Sequence, residues 1–299
     1  MRLVRHGEPG RERPGVLLDD DTIVDVGARL GDPGTALLTA GGLADVRALV
    51  ESRADLPRLE RSEARLGPPI PRPPKVIGIG LNYADHARES GMQTPPEPIA
   101  FGKAPNALTG PTDVVWLPPD SDRCDWEVEL GVVIGQHARR LPDEAAAYEA
   151  IAGWCISNDL TERAHQFEHG GQWIKGKSHE TFNPLGPWLV TKEELRGDLR
   201  LTTRVSGDLV QDGTTADMIF PPTELVRYLS WFMTLEPGDL VSTGTPAGVG
   251  MGQNPPRFLR DGDVLETAIT GLGEQRNLCH EIQLPAGETN PLQQPATTR

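Results

Sequence analysis

The sequence predicts an α+β protein in which strands outnumber helices, with a small N-terminal α+β unit ahead of a larger one. Three observations carry that reading. From residue 75 onward, short apolar runs such as "KVIGIG", "EVELGVVIG", "PWLVT" and "DVLETAIT" alternate with turns rich in Gly and Pro, which is the pattern of strands. Helical spacing is confined to a few short stretches, 83–90, 143–150, 159–168 and 222–233, the last with Leu225, Leu229 and Phe232 on one stripe. The proline-rich segment "RLGPPIPRPPK" separates the N-terminal stretch from the strand-rich remainder and places a boundary near residue 72.

In chain order, "MRLVRHGEPG" opens on a strand whose end carries "RHGE", a tetrapeptide similar to the phosphohistidine signature of the phosphoglycerate mutases. A histidine of that kind should lead into a helix. Here it leads into Val16-Leu17-Leu18, the acidic turn Asp19-Asp20-Asp21 and Ile23-Val24, a strand, turn and strand, so His6 is expected to be a surface residue near a strand end with no catalytic part. Leu43, Val46, Leu49 and Val50 mark one helix before the linker. The domain plan is therefore 1–72, 73–284 and a polar tail over 285–299 expected to be disordered.

Composition narrows the function. The 299 residues hold 43 acidic and 29 basic side chains, a net charge of −14 that opposes nucleic-acid backbones and anionic membranes. No run reaches the roughly 20 apolar residues of a membrane helix. Three cysteines without a CxxC spacing, and an N-terminus without a signal-peptide pattern, point to a cytoplasmic protein. Cys155, in an apolar run, is expected to be buried and inert, and Trp126, Trp154, Trp173, Trp188 and Trp231 to be core or subunit-contact residues.

The chemistry concentrates in "CDWEVELGVVIG", where Asp125, Glu127 and Glu129 alternate ahead of an apolar run. On a strand, alternate residues share a face, and two ionised carboxylates held together in a half-buried strand are costly unless a cation neutralises them; the alternative is an exposed strand face with acidic decoration. Asp159, after the apolar run "AGWCIS", adds a third. Three carboxylates at neighbouring strand ends make a hard oxygen site suited to Mg²⁺, with Mn²⁺ or Ca²⁺ as alternatives. His86 and Glu89 lie three apart on one predicted helix, where the carboxylate can orient the imidazole. His165 and His169 are four apart, a spacing that also fits zinc, but no third ligand is evident nearby.

Seven blocks in order, "GIGLNYADHARESG", "FGKAPNALTGP", "DWEVELGVVIG", "NDLTERAHQ", "GGQWIKGKSHETFNPLGPWLVT", "QDGTTADMIF" and "TLEPGDLVSTGTPAGVG", resemble the fumarylacetoacetate hydrolase family over most of the chain. The resemblance implies a mixed, mostly antiparallel β-roll catalytic domain, a homodimer, and one divalent metal on Glu127, Glu129 and Asp159. It implies Lys177 as the cation beside the bound oxo acid, with Lys175 as its neighbour and alternate, and His86 with Glu89 as the pair that activates water. Tyr83, Lys103, Arg163, Gln166, His179, Gly244 and Thr245 are the substrate-binding positions it suggests. The implied reaction is cleavage of a carbon-carbon bond in a 2,4-dioxo acid, an acylpyruvate or a 2,4-diketo-3-deoxy sugar acid. The alternatives are an isomerase, tautomerase or decarboxylase of a related 2-oxo acid, or a non-catalytic oxo-acid-binding member.

The chain departs from the family's usual "NDVTARDLQ" at Glu162, Ala164 and His165, and in "GKSHETF" it has His179 and Glu180 where an aromatic or small residue and an aspartate are usual. The first departures resemble a subgroup that includes sugar-acid hydrolases and chains named as ureidoglycolate lyases. His179 is placed to tune specificity or to add an acid or base.

Overall fold

The computed structural model describes residues 1–19, 21–52, 55–285, 287, 288 and 290, so most of the expected tail lies outside the described residues. One large open sheet of 11 strands forms the backbone of the fold. Its order runs from Arg58–Glu60 through Thr22–Val24, Arg13–Leu17, Arg2–His6, Asn183–Thr191, Ile151–Asn158, Val128–Ile134, Leu240–Ser242 and Val76–Gly80 to Ile99–Lys103, with Leu108–Thr109 paired beside Asn183–Thr191. All neighbours along this order are antiparallel except Leu240–Ser242 with Val76–Gly80. A second sheet of five strands, including the hairpin Arg200–Val205 and Asp208–Thr214, supplies the opposing layer.

The mixed, sheet-rich α+β architecture agrees with the sequence reading. The segment before residue 72 forms its hairpin as expected and adds its strands to the large sheet, since Arg2 and Leu3 pair with Val190 and Leu189. Helix Ala40–Glu51 covers this part, capped by the Thr39 hydroxyl accepting from the Gly42 amide. Helices Glu144–Ala150, capped by Asp143, and Pro222–Leu229, opened by a proline in its first turn, close the other core against Val132, Ile134 and Trp154.

Four local expectations are corrected. His6 is buried, because its strand pairs on one side with Arg13–Leu17 and bridges Leu66, and Gly15 opposite leaves room for the imidazole. The helix expected over 159–168 begins only at Arg163, since Thr161 and Glu162 pair as a short strand with Cys124 and Asp125. The helix from Pro222 ends at Leu229 and leaves Trp231 and Phe232 exposed. Lys177, in the Gly-bounded stretch "IKGKS" that reads as a turn in the sequence, closes a short helix, Ile174–Lys177.

Candidate active site

Register builds the centre of the site. Val128 pairs with Asn158 and Glu129 with Ser157, so Asp159, one step beyond Asn158, lies opposite Glu127 and donates its amide to the Glu127 carbonyl at 2.9 Å. A slip of one residue would send Glu129 to the other face of the sheet. In the observed register Glu127, Glu129 and Asp159 are all buried, and one oxygen from each lies within 4.8 Å of the others. Among the described residues this is the one group with the spacing of a metal site.

The cations beside it come from separate elements. Lys103, the last residue of Ile99–Lys103, pairs with Asp159 Oδ1 and donates to the Phe182 carbonyl at 2.6 Å. Lys177 Nζ donates to Glu127 Oε2 at 2.7 Å and Asp159 Oδ2 at 2.8 Å. Its short helix reaches this position because Gly176 lies against the backbone at Glu162 and Gln166, where a Cβ would come within 2.4 Å of the Glu162 carbonyl oxygen. Arg163 Nη1 lies 2.8 Å from Glu127 Oε1 and 3.1 Å from Gln166 Oε1, and its Nε donates to Asp125 at 2.8 Å.

Electrostatics separates the carboxylates. Burial alone would push Glu127 up, yet Lys177 and then Arg163 outweigh it and hold the group at about 2. Among the described residues Glu129 accepts only the Gly244 amide, at 2.9 Å; burial, then Asp159 and Glu127, push it well above the ordinary carboxylate range. Burial works against the Lys177 ammonium, but Asp159 and Glu127 lift it above its ordinary value. The centre therefore has an all-oxygen donor set that is short of positive charge at Glu129. That fits a hard divalent cation, and Glu127, Glu129 and Asp159 are the residues that would hold it.

His86 lines the cleft from helix Ala84–Glu89, with Nδ1 3.5 Å from Glu89 Oε2 behind it. Both Glu89 oxygens accept the Gly248 amide at 3.0 Å, which pins this helix to the 244–251 loop. His86, Glu127, Glu129, Arg163, Gln166, Lys177 and Thr245 line one cleft. The Tyr83 hydroxyl is buried with no hydrogen-bond partner among the described residues, and burial, then Glu129, push it above its ordinary value.

The glycine-rich turn carrying Gly244 and Thr245 is held by the chain's own groups. Its N–H groups meet the chain's own carboxylates: Gly244 donates to Glu129, Gly248 to Glu89, and Gly250 and Met251 to Asp125. Thr245 donates to the Val128 carbonyl and accepts from Gln211. Gly244, at φ +94°, and Thr245 thus position the carboxylates in this structure. His179 lies away from the acidic centre, with Nε2 2.9 Å from His165 Nδ1; burial, then His165 and Lys103, push it down to about 4. The His165–His169 pair thereby gains a third histidine that spacing did not reveal, although these nitrogens do not gather as metal ligands do.

Sequence reasoning missed the outer wall of the cleft. Trp173, read as core or subunit contact, lines it with Phe167, Met92 and Met251. The available signal was the pair of glycines in "VIGIG", against which aromatic rings pack. Asp125 was visible in the acidic alternation, but its part as anchor of Arg163 and of the 250–251 backbone depends on tertiary contacts.

Residues 75–279, which hold every side chain of this site, match the fumarylacetoacetate (FAA) hydrolase C-terminal domain. A Burkholderia multivorans protein, named provisionally and only as a hydrolase, is 48% identical over 281 residues, covering 93% of this chain and 98% of its own. The solved structure of 5-carboxymethyl-2-hydroxymuconate delta-isomerase from Mycobacterium smegmatis matches with a TM-score of 0.75 at 32% identity, covering 95% of this chain and all of that one. Maleylpyruvate hydrolase from Sphingobium sp. SYK-6, solved with manganese(II) and pyruvate, matches with a TM-score of 0.78 at 29% identity, over 95% of this chain and 100% of that one. With the domain match spanning the acidic centre and both hydrolases and isomerases among its structural neighbours, the chain belongs to the fumarylacetoacetate hydrolase family.

Proposed function

We propose that this protein is a divalent-metal-dependent hydrolase that cleaves the C3–C4 bond of a 2,4-dioxo acid, releasing pyruvate and a second acid. The observation that carries the reading is the buried triad Glu127, Glu129 and Asp159, with Lys177 beside it and His86, paired with Glu89, lining the same cleft. The pyruvate and manganese(II) named in the maleylpyruvate hydrolase structure support it.

A divalent cation held by Glu127, Glu129 and Asp159 would supply Lewis acidity toward the oxo acid. His86 takes a proton from water, with Glu89 orienting its ring, and the hydroxide adds to C4. As the C3–C4 bond breaks, its electron pair moves into the C2–C3 unit, where the Lys177 ammonium faces the developing enolate charge. The hydroxyl of the water ends on C4 as the new carboxylic acid and its proton on C3 as the methyl group of pyruvate. Lys103 and Arg163, each paired with the central carboxylates, hold these in place.

The test is pyruvate release from acylpyruvates and a 2,4-diketo-3-deoxy sugar acid with Mg²⁺ or Mn²⁺, then with excess chelator. Pyruvate that appears with metal and stops with chelator is the expected result. The isomerase among the structural neighbours supports a second reading, enol–keto exchange of a related 2-oxo acid. His86→Ala separates the two, because water attack should fall by about 10²–10⁴-fold, whereas exchange without water attack should largely survive.

A further inference from the structure

We propose that the outer half of this cleft is a subsite for an uncharged, apolar acyl group, so that the dioxo acid cleaved here carries an aryl or alkyl chain beyond C4. This rests on the 2,4-dioxo acid reading and assigns its substrate class.

Trp173 and Phe167 line the outer wall, with Phe101 packed against Trp173. Phe101 stands over Lys177 with Nζ 5.1 Å from its ring centre, Trp173 comes next at 5.3 Å from Phe101, and Phe167 meets Trp173 edge-on at 6.2 Å. The row thus leads from the charged floor to Phe167, which is 38% exposed. Two glycines of strand Val76–Gly80, two residues apart and so on one face, seat it. A Cβ on Gly78 would come 2.2 Å from Phe101 Cζ, and one on Gly80 2.7 Å from Trp173 Cζ3. Met92 and Leu81 add further apolar lining.

The same wall lacks what other acids would need. The lining cations Arg163 and Lys177 are both committed to the central carboxylates. Arg88 lies two residues from His86, about 200° round the helix and so directed away from the cleft. The Lys175 ammonium donates to the His169 carbonyl at 2.6 Å. Among the described lining residues a second carboxylate on the substrate would meet no uncommitted Lys or Arg, and the groups left for a polyhydroxy chain are chiefly Ser90 and the Gln166 amide nitrogen, since Gln166 Oε1 already accepts from Arg163. An apolar chain loses nothing by leaving water here. The sugar acid favoured by the sequence subgroup is therefore the poorer fit.

The experiment compares kcat/KM with Mn²⁺ for 2,4-dioxo-4-phenylbutanoate, maleylpyruvate and a 2,4-diketo-3-deoxy sugar acid. Calorimetry in parallel measures binding of two acids that cannot be cleaved, 4-phenyl-2-oxobutanoate and 2-oxoglutarate. The phenyl compound is expected to be favoured at least tenfold in each set. Phe167→Arg, at an exposed position, should shift both ratios at least tenfold toward the dicarboxylates, and Trp173→Ser should lower the phenyl preference by a similar factor. A wild-type preference for the charged or hydroxylated acids, or ratios unmoved by both substitutions, would overturn the subsite while leaving the hydrolase reading intact. No pyruvate from any dioxo acid, together with tight binding of 4-phenyl-2-oxobutanoate, would overturn the hydrolase reading and keep the apolar subsite.

Discussion

Two buried ionic clusters sit in different parts of this fold, one beside the N-terminal hairpin and one at the ends of Val128–Ile134 and Ile151–Asn158, and only one has the makings of a reactive site. In the N-terminal cluster a single carboxylate, Asp25, pairs with Arg13, accepts the Ala28 amide at 3.0 Å and has His6 Nε2 3.7 Å away. In the cleft, Asp125, Glu127, Glu129 and Asp159 face Lys103, Arg163 and Lys177, leaving the acids one positive charge short. In the first arrangement the carboxylate is matched by its own chain, through Arg13 and the Ala28 amide. The second holds Glu129 well above the ordinary carboxylate range, through burial and then the neighbouring Asp159 and Glu127, and Glu129 lines a cleft that a substrate can enter. Burial of charge is common to both; the deficit and the access distinguish a candidate site from a structural tie.

The strongest way to break this contrast is to remove the deficit. Glu129→Ala should abolish Mn²⁺ binding measured by calorimetry and reduce pyruvate release by at least about a thousandfold, roughly 4 kcal/mol of transition-state stabilisation. Stability without metal should change little, because the lost carboxylate was itself a repulsive member of the cluster. Lys177→Met sharpens the same idea from the other side. Deleting a cation deepens the deficit, so Mn²⁺ should bind more tightly while kcat falls about a hundredfold or more. Weaker metal binding in that variant would show that Lys177 organises the triad and does not oppose the metal.

The N-terminal cluster should respond in stability alone. Asp25→Asn is expected to cost about 1–3 kcal/mol in urea unfolding through the weakened pairing with Arg13, with kcat/KM unchanged. The smallest effect concerns His6. Burial, partly opposed by Asp25, lowers its affinity for a proton below the ordinary histidine value, so the unfolded chain binds the proton more readily. Its contribution is present above about pH 6.5 and is lost as the pH falls below that value. His6→Ala should flatten the acid side of the stability profile and leave turnover as it was; a large loss of turnover would instead give His6 a catalytic part.

Much of the centre could be read before the fold was seen, for a local reason. Glu127 and Glu129 stand two apart at the head of an apolar run, and the period of a strand is two, so their shared face is set by spacing. The single helical turn from His86 to Glu89 is equally local. What spacing could not reveal was which elements converge on these groups. The seat of Lys177 depends on Gly176 approaching residues 162–166, and the pairing of His165 with His179 spans a loop. Trp173 was misread for the same reason: its neighbour is Gly80, more than 90 residues earlier in the chain.

By itself, then, the sequence determined the sheet-rich class, the shared face of Glu127 and Glu129, and the family, because each depends on residue type and short-range order. Only the tertiary structure decided that His6 is sealed inside a strand pair, that the glycine-rich turn meets the chain's own carboxylates, and that the cleft has an aromatic outer wall. Those outcomes arise from sheet register and from close approaches between distant segments, which are set by the packing of the whole chain.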